Sequence, residues 1–466
     1  MAEAALTSIP GVGKSIAAKI TEFKRTGTIK AVEEQRAKVP PGVRELTRVP
    51  GLGPKRAMQL SRELGIATVS DLEAAVSEGK LRNIAGFGPK SEERILRGLA
   101  VMTTDRVLLN VALSTATDIV GALRDAAERV EYAGSLRRWR ETIGDVDILA
   151  TAEDDAHAER IMTAFREMSD EIVVSGPTKT SIRADNGTGL QVDLRVVRPE
   201  CYGAALHYFT GSQAHNVAVR QVAIRAGLKL SEYGLFRGDE LIASATEDDV
   251  YAALGMDWVP PPMREDTGEV EAGIKRQVPA LVQEKEIRGD LHTHTNLTDG
   301  VASLEEMIRQ AEPKGYAYYA VTDHAPNLIM QRMTDEKMLA QRARLAALAS
   351  SMVLLHGTEL NIAPDGSVDW DEDFLSGFDM CVASVHSHFD QDRRAMTKRF
   401  IVACENPYVN IIGHPLTRKI GRRPPVDVDL GELFKACATT GTALEVNASP
   451  ARLDLPGDYI RQARDA

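Results

Sequence analysis

The spacing of hydrophobic positions changes character three times along the chain. In the first hundred residues three segments repeat one pattern: "IPGVGKSIAAKI" at 9–20, "VPGLGPKRAMQL" at 49–60 and "IAGFGPKSEERI" at 84–95. Each runs apolar, small, Gly, apolar, Gly and then into helical spacing, which predicts a helix, a tight turn and a second helix. The glycines permit turn dihedrals that other residues resist, and they leave backbone N–H groups uncovered at a helix N-terminus. From about 105 to 257, "VEYAGSLRR", "DVDILATA", "EIVVSG" and "LQVDLRVV" predict short strands, with "AHAERIMTAFREM" as a helix between them. "MDWVPPPMREDTGEVEAG" follows, and its three consecutive prolines and many polar residues predict a linker. Beyond it, "YAVTDH", "MVLLHGTEL", "MCVASVHSH", "NIIGHP" and "ALEVNAS" alternate with helical stretches such as "DEKMLAQRARLAALASS". That alternation predicts a parallel sheet, open or closed into a barrel.

Composition narrows the class. The 466 residues, 43% hydrophobic and 26% charged, suit a globular protein of roughly two to four domains. No apolar run approaches the ~18 residues of a membrane span, and "MAEAALTSIPGVG" lacks the layout of a signal peptide. The cysteines (Cys201, Cys381, Cys404, Cys437) form no CxxC, which fits a reducing cytoplasm and argues against cysteine-based zinc sites. The net charge of −11 is uneven. Residues 1–100 carry 17 Lys+Arg against 11 Asp+Glu, whereas residues 101–286 carry 20 against 31. A basic front and an acidic rear suggest a module that grips a polyanion joined to modules whose carboxylates need cations. In the front, Lys14, Lys19, Lys55, Arg56 and Lys90 flank the glycine turns and supply counter-charge for phosphates.

Candidate chemistry appears first at "YAGSLRRWRETIGDVDILATA". Asp145 and Asp147 stand two apart on a predicted strand, so both project from one face. Asp193 lies on another strand, "GLQVDLRVV", in equally apolar surroundings. Carboxylates there are costly unless a cation neutralises them, and three oxygen ligands suit Mg²⁺ together with substrate phosphates. Gly134 and Ser135 offer close backbone approach to the β/γ-phosphates of a nucleotide, with Arg137 or Arg138 adding positive charge. Two metals there would activate a 3′-hydroxyl and stabilise departing pyrophosphate.

"GSLRRWRETIGDVDIL" with "LQVDLRVV" and "HYFTGSQAHNVAVRQVAIRAGLKLSEYGLF" resembles the nucleotidyltransferase palm and thumb of the family X DNA polymerases. The resemblance implies that Tyr208, Phe209 and Gly211 line the nucleotide pocket, that Asn216 touches the incoming base edge, and that Arg220 meets the template-side minor groove. The repeated glycine segments resemble helix-hairpin-helix motifs, which implies phosphate-directed DNA binding by Gly11, Gly13, Lys19, Gly51, Gly53, Lys55, Gly86 and Gly88. Lys19 aligns with the Schiff-base lysine of the family's lyase members. The helices that precede the family's first hairpin are absent, however, and Ser15 replaces a second lysine of that pattern, so Lys19 is read as a phosphate contact.

A second chemical signal lies in "EIRGDLHTHTNLTDG". His292 and His294 face one way on a strand, and Asp299 follows a short loop. Apolar runs further on end in His324, Glu359, His386 and His414; seven of the ten histidines fall between 292 and 414. Strands that deliver imidazoles and carboxylates to one end predict a multinuclear centre, with Glu359 bridging metals and phosphoester hydrolysis as the reaction class. Such ligands favour Zn, Mn or Fe over Mg. The arrangement resembles the PHP (polymerase and histidinol phosphatase) domain, which implies His292, His294, Asp299, His324, Glu359, His386 and His414 as the ligands. His356 and His388 match no ligand position, and Glu445 matches a recurrent strand acid. The family's late Asp-x-His has no counterpart before the end of the chain at "YIRQARDA", so the domain is expected to be incomplete at its C-terminal end.

The expected architecture is multidomain. An all-α helix-hairpin-helix region spans 1–100, an α/β nucleotidyltransferase palm 101–200 and a small α/β thumb 201–257. A linker occupies 258–286, and an α/β distorted-barrel PHP domain fills 287–466. The expected function is a DNA-repair polymerase adding dNTPs at gapped or nicked DNA with Mg²⁺. A PHP exonuclease or 3′-end-processing site using Mn²⁺ or Zn²⁺ accompanies it. The chain is expected to be a cytoplasmic, nucleoid-associated monomer with no membrane partner. The rival readings are a PHP phosphatase acting on a small phosphomonoester and a non-catalytic DNA-end-binding scaffold.

Overall fold

The computed structural model describes residues 13–26, 29–30, 43–47, 49, 52–88, 91–92, 95–96, 99, 106–185 and 187–466. They fall into two compact units, Met1–Thr104 with Gly421–Pro424 and Asp105–Ile420 with Pro425–Ala466. Among the described residues no helix is long and apolar enough to cross a membrane.

The first unit is helical: α1 (Lys14–Thr26), α2 (Val43–Leu46), α3 (Pro54–Leu64) and α4 (Val69–Ser77). Leu46, Leu52, Leu60, Leu72, Leu81 and Phe87 form its core. A capping box in which Thr68 and Asp71 bond each other's backbone starts α4. By contrast α3 begins at Gly53 with a proline in its first turn and no side-chain cap, so its leading N–H groups stay available.

The second unit begins with a palm: β1 (Val107–Leu108), α5 (Leu109–Leu123), β2 (Val130–Tyr132), α6 (Gly134–Arg137), β3 (Thr142–Ile143), β4 (Asp145–Thr151), α7 (Asp155–Arg166), β5 (Ile172–Ser175), β6 (Lys179–Arg183) and β7 (Gln191–Val197). Five of the strands form one sheet in the order β2-β4-β7-β6-β5, parallel only between β4 and β7. Strand parity decides what each face does. Val146, Ile148, Val192 and Leu194 pack into a core with α5 and α7 residues such as Leu123 and Phe165, and the alternate residues Asp145, Asp147 and Asp193 take the opposite face.

A thumb follows: α8 (Tyr202–Thr210), α9 (Gln213–Arg225), β8 (Lys229–Ser231), β9 (Gly234–Arg237), β10 (Glu240–Ala243), α10 (Glu247–Ala253) and α11 (Glu269–Ile274). The presence of α11 corrects the expected linker. Residues 258–274 are packed: Val259 and Val270 are buried in the thumb core, and the charged residues that made the segment look solvated are internal partners. Arg264 is fully buried and donates to Glu247 at 2.6 Å. Arg137 grips the same carboxylate with two 2.9 Å bonds, and Trp258 donates to it at 3.1 Å. Glu269 accepts from His215 at 2.7 Å, whose other ring nitrogen meets Tyr251 at 2.8 Å. Polar composition hid a buried network; only the stretch after α11 runs largely exposed.

This network predicts an acid response. Burial alone would raise the Glu247 carboxyl, but the Arg264 and Arg137 guanidiniums outweigh it and hold it at about 2. A carboxyl held below its ordinary 4.5 contributes stability that is complete above that value and is lost as pH falls towards 2. The unit is therefore expected to lose denaturant resistance across that acid window. Glu247→Gln is expected to flatten the loss and to cost about 3–5 kcal/mol near neutral pH, by leaving two guanidiniums without their partner. Denaturant midpoints for both proteins, near neutrality and within the window, check this.

The remainder is a second α/β body: β11 (Gly289–Asp290), α12 (Leu304–Ala311), β12 (Tyr318–Val321), α13 (Asp335–Ala346), β13 (Val353–Asn361), α14 (Glu372–Leu375), β14 (Met380–Ser384), α15 (Arg393–Glu405), β15 (Ile411–Ile412), α16 (Leu430–Thr440), β16 (Ala443–Leu444) and α17 (Gly457–Asp465). Its six strands pair in sequence order and all in parallel. That is the wall of a barrel, and it delivers the strand ends to one rim.

Candidate active sites: an aspartate face and a histidine centre

Asp147 and Asp193 are direct neighbours across β4 and β7, and Asp145 shares their face one pleat away. Burial first, then the charges of Asp145 and Asp193, push the Asp147 carboxyl up to about 6. Asp193 accepts from Gln191 at 2.8 Å and pairs with Lys179 at 2.7 Å. Burial alone would raise it, but these partners hold it below its ordinary value. Three crowded carboxylates, one carrying a raised pKa, lack positive charge that a divalent cation supplies. The residues fit such a group.

Gly134 borders this cluster with φ +62, and a Cβ there would lie 2.3 Å from Asp147 Oδ2. Only glycine lets the α6 turn approach so closely. Of the two arginines expected at phosphates, Arg137 is committed to Glu247. Arg138 bonds Glu265 at 2.8 Å and the Thr210 carbonyl at 2.5 Å, which ties the glycine turn to the thumb. Tyr208 and Phe209 stack edge to face at 5.1 Å, with Arg195 over Phe209 at 4.4 Å and Arg220 near Tyr208 at 5.8 Å. Asn216 donates to the Tyr208 carbonyl at 2.7 Å, while its own Oδ1 is buried without a partner.

In the helical unit Gly13, Gly53, Gly86 and Gly88 have nothing within 4 Å of where a Cβ would stand. These turns face open space, as backbone contact with a phosphate requires. Gly86 also has φ +86, which favours glycine for its own conformation. Lys14, Lys19 and Lys55 are exposed beside these turns. Gly11, Gly51 and Lys90 lie outside the described residues.

All seven acid and imidazole residues expected in the rear domain converge. Glu359, 1% exposed, sits at the middle. Its Oε1 lies 3.4 Å from His292, 3.1 Å from His386 and 3.0 Å from His414. Its Oε2 lies 3.6 Å from His294 and 2.9 Å from His324. Asp299 lies 3.5 Å from His294 and 3.4 Å from His324. Three overlapping groups have ligand geometry: His292–His294–Glu359, His294–Asp299–His324 and His324–Glu359–His386. His292 Nε2, His294 Nδ1, His324 Nδ1 and His414 Nδ1 are buried without a hydrogen bond, even where a carboxylate oxygen is close. Buried imidazole nitrogens left without a hydrogen bond in so carboxylate-rich a cluster fit metal ions. Burial pulls the His292 imidazole down, but Glu359 and Glu445 outweigh it and lift it to about 10; at His294 burial prevails and the imidazole is lowered. Protons there stand in for cations.

Around the ligands is a supporting set that sequence reasoning missed or left open. Glu445 accepts from His292 Nδ1 at 2.7 Å and also from the backbone of His414. Asn361 Oδ1 meets His386 Nδ1 at 2.8 Å, and Asp369 holds Asn361 at 3.0 Å. Asp323 receives Thr295 Oγ1 at 2.7 Å and Gln341 at 2.5 Å. Of these, Glu445 and Asn361 touch the rings and so fix the orientation and tautomer of His292 and His386. Asn361 had a cue, since it follows Glu359 by two on one strand face; Asp323 and Asp369 had none. His356 stands apart, its ring stacked on Phe378 at 5.2 Å, and His388 is exposed.

Both sites suit phosphoryl chemistry, one by transfer and one by hydrolysis, as in a nucleotidyltransferase fused to a metal-dependent phosphoesterase. Three family models agree with its parts: the SAM-like helix-hairpin-helix tandem over residues 43–100, the DNA polymerase beta thumb over 205–265 and the PHP domain over 290–449. The DNA polymerase/3′-5′ exonuclease PolX of Bacillus subtilis (strain 168) is 35% identical over 470 residues, covering 99% of this chain and 82% of that protein. The chain belongs to the family X DNA polymerases, among those that carry helix-hairpin-helix and PHP domains. As such it is a DNA polymerase acting on DNA and dNTPs, and its chemistry uses divalent metals. The PHP portion is also similar to a probable phosphatase of Thermoanaerobacter sp. (strain X514), 32% identical over 169 residues, covering 34% of this chain and 64% of that protein. The solved structure of Leishmania infantum polymerase beta covers 48% of this chain and 98% of its own at 22% identity, with a TM-score of 0.33.

Proposed function

We propose that this chain fills short gaps in duplex DNA by extending a 3′ end, and that its histidine centre trims or cleans the same kind of end. The observation that carries the reading is the adjacency of Asp147 and Asp193 beneath Gly134. In this reading Asp145, Asp147 and Asp193 hold Mg²⁺. Gly134, Ser135 and Arg138 receive the triphosphate, and Arg137 keeps that turn docked on the thumb. Tyr208, Phe209 and Gly211 border the nucleotide, Asn216 offers its unpartnered oxygen to the base edge, and Arg220 faces the template side. Gly13, Lys19, Gly53, Lys55, Gly86 and Gly88 grip backbone phosphates without reading sequence, on a monomer working at the nucleoid.

His292, His294, Asp299, His324, Glu359, His386 and His414 hold Mn²⁺ or Zn²⁺. Bound divalent cations supply counter-charge to a reacting phosphoryl group and lower the cost of deprotonating the attacking hydroxyl or water. The protein's own share is placement: Glu445 and Asn361 lock the tautomers of His292 and His386, and Glu359 keeps five imidazoles turned inward.

A 5′-labelled primer in a one-nucleotide gap tests the reading. With dNTPs and Mg²⁺ the primer is expected to lengthen, and with Mn²⁺ alone to shorten from its 3′ end. Chelation is expected to stop both, and the added metal to restore each. Turnover of a free sugar phosphate, with gapped DNA left unchanged, would instead support the phosphatase reading.

A further inference from the structure

The polymerase palm touches the PHP body beside one of its metal-site loops. Arg418 clasps Glu141 through two parallel bonds, Nη1 to Oε2 at 3.0 Å and Nη2 to Oε1 at 2.6 Å. The same guanidinium donates to the Leu453 carbonyl. Its side chain is 12% exposed. Fork-to-fork pairing in such surroundings is the strong, orienting kind of ion pair.

Each end is anchored in its own domain. The Glu141 carbonyl accepts from Leu109 at 3.1 Å, and the next residue pairs with Leu108 across β1 and β3. Glu141 therefore moves with the palm, between the glycine turn and Asp145. Arg418 stands four residues after His414, on a loop that is itself under strain. His414, Thr417 and Leu453 have φ of 28°, 52° and 44°, left-handed conformations that L-residues resist and that persist only where surroundings impose them. Asp454 accepts the Leu416 N–H on both oxygens at 3.2 and 3.0 Å, and Ile420 donates to Ala451 at 2.8 Å. The two loops are laced together, and Arg418 joins that lacing to the palm.

We infer that Glu141, a residue of the polymerase domain, is a positioning residue of the hydrolytic centre. Through Arg418 it braces the loop that presents His414 to Glu359. The centre holds its metals at full strength only with the palm docked. This rests on the rear cluster being a metal centre, and the test separates the two.

The experiment compares the full chain with Glu141→Gln, Arg418→Lys and the exchanged pair Glu141→Arg/Arg418→Glu. Each is built on an Asp193→Ala background so that Mn²⁺ titrated by calorimetry reports chiefly the rear site. Glu141→Gln is expected to weaken Mn²⁺ binding about tenfold, at the low end for an outer partner of a metal ligand. Arg418→Lys, which keeps the charge but loses the fork, is expected to fall between, and the exchanged pair to recover most of the loss. With Asp193 restored, 3′ shortening by Glu141→Gln is expected to need more Mn²⁺ yet reach the unmutated maximum, while extension of a matched primer stays unchanged. Equal Mn²⁺ affinity in all variants overturns the inference. So does loss of extension and shortening together with a lowered melting temperature, which would make the pair general glue. Absence of any Mn²⁺ binding by the parent would instead refute the metal centre itself.

Discussion

Asp193→Ala is expected to abolish primer extension while leaving 3′ shortening in place. The substitution removes one of three carboxylates that meet on the palm face and frees Lys179, whose ammonium sits 2.7 Å from Asp193. That ammonium then competes for the field of Asp147, where a cation should bind. A lost metal ligand forfeits several kcal/mol of charge stabilisation, so extension is expected to fall at least about a thousandfold, each factor of ten being about 1.4 kcal/mol. The fold should not suffer. Asp193 contributes to raising Asp147 to about 6, so removing it relieves like-charge repulsion, and the metal-free melting temperature is expected to hold or rise. Extension that survives within about tenfold, a loss of under ~1.4 kcal/mol, would remove the assignment.

Glu359→Gln should do the reverse. The amide keeps the shape but not the charge that faces five imidazoles, so no bridging anion remains among them. Shortening of a 3′ end is expected to drop at least about a thousandfold, with extension intact. A second readout is independent of catalysis: Mn²⁺ should raise the melting temperature of the parent, as any ligand of the native state does, and should do so far less in the variant. Undiminished shortening would place that activity elsewhere.

Much of both sites was legible because their side chains are conspicuous. Paired aspartates on an apolar strand, and histidines that end apolar runs, contradict the burial they sit in unless something neutralises them. Strand parity then fixed the face. Less could be read of partners distant in sequence. Nothing in the spacing says that Asp147 lies beside Asp193 rather than a pleat away, or that Arg137 turns to Glu247 instead of towards a phosphate. Among the supporting residues Asp323 and Asp369 were silent, because polar residues near loops have many ordinary uses. The stretch at 258–274 was misread for the opposite reason: its prolines and charges have the composition of a tether, and only tertiary pairing reveals them as interior.

That misread stretch governs where the two catalytic halves can be parted. A gene cut at the composition boundary, just before Trp258, would take Arg264 and Trp258 away from Glu247 and Glu269 away from His215, leaving that carboxylate with Arg137 alone and that imidazole with Tyr251 alone. Severing after Ile274 keeps every one of those pairs on the polymerase side. The natural joint of this molecule is therefore a dozen residues of exposed chain after the last thumb helix, and any modular exchange among such enzymes would have to respect it.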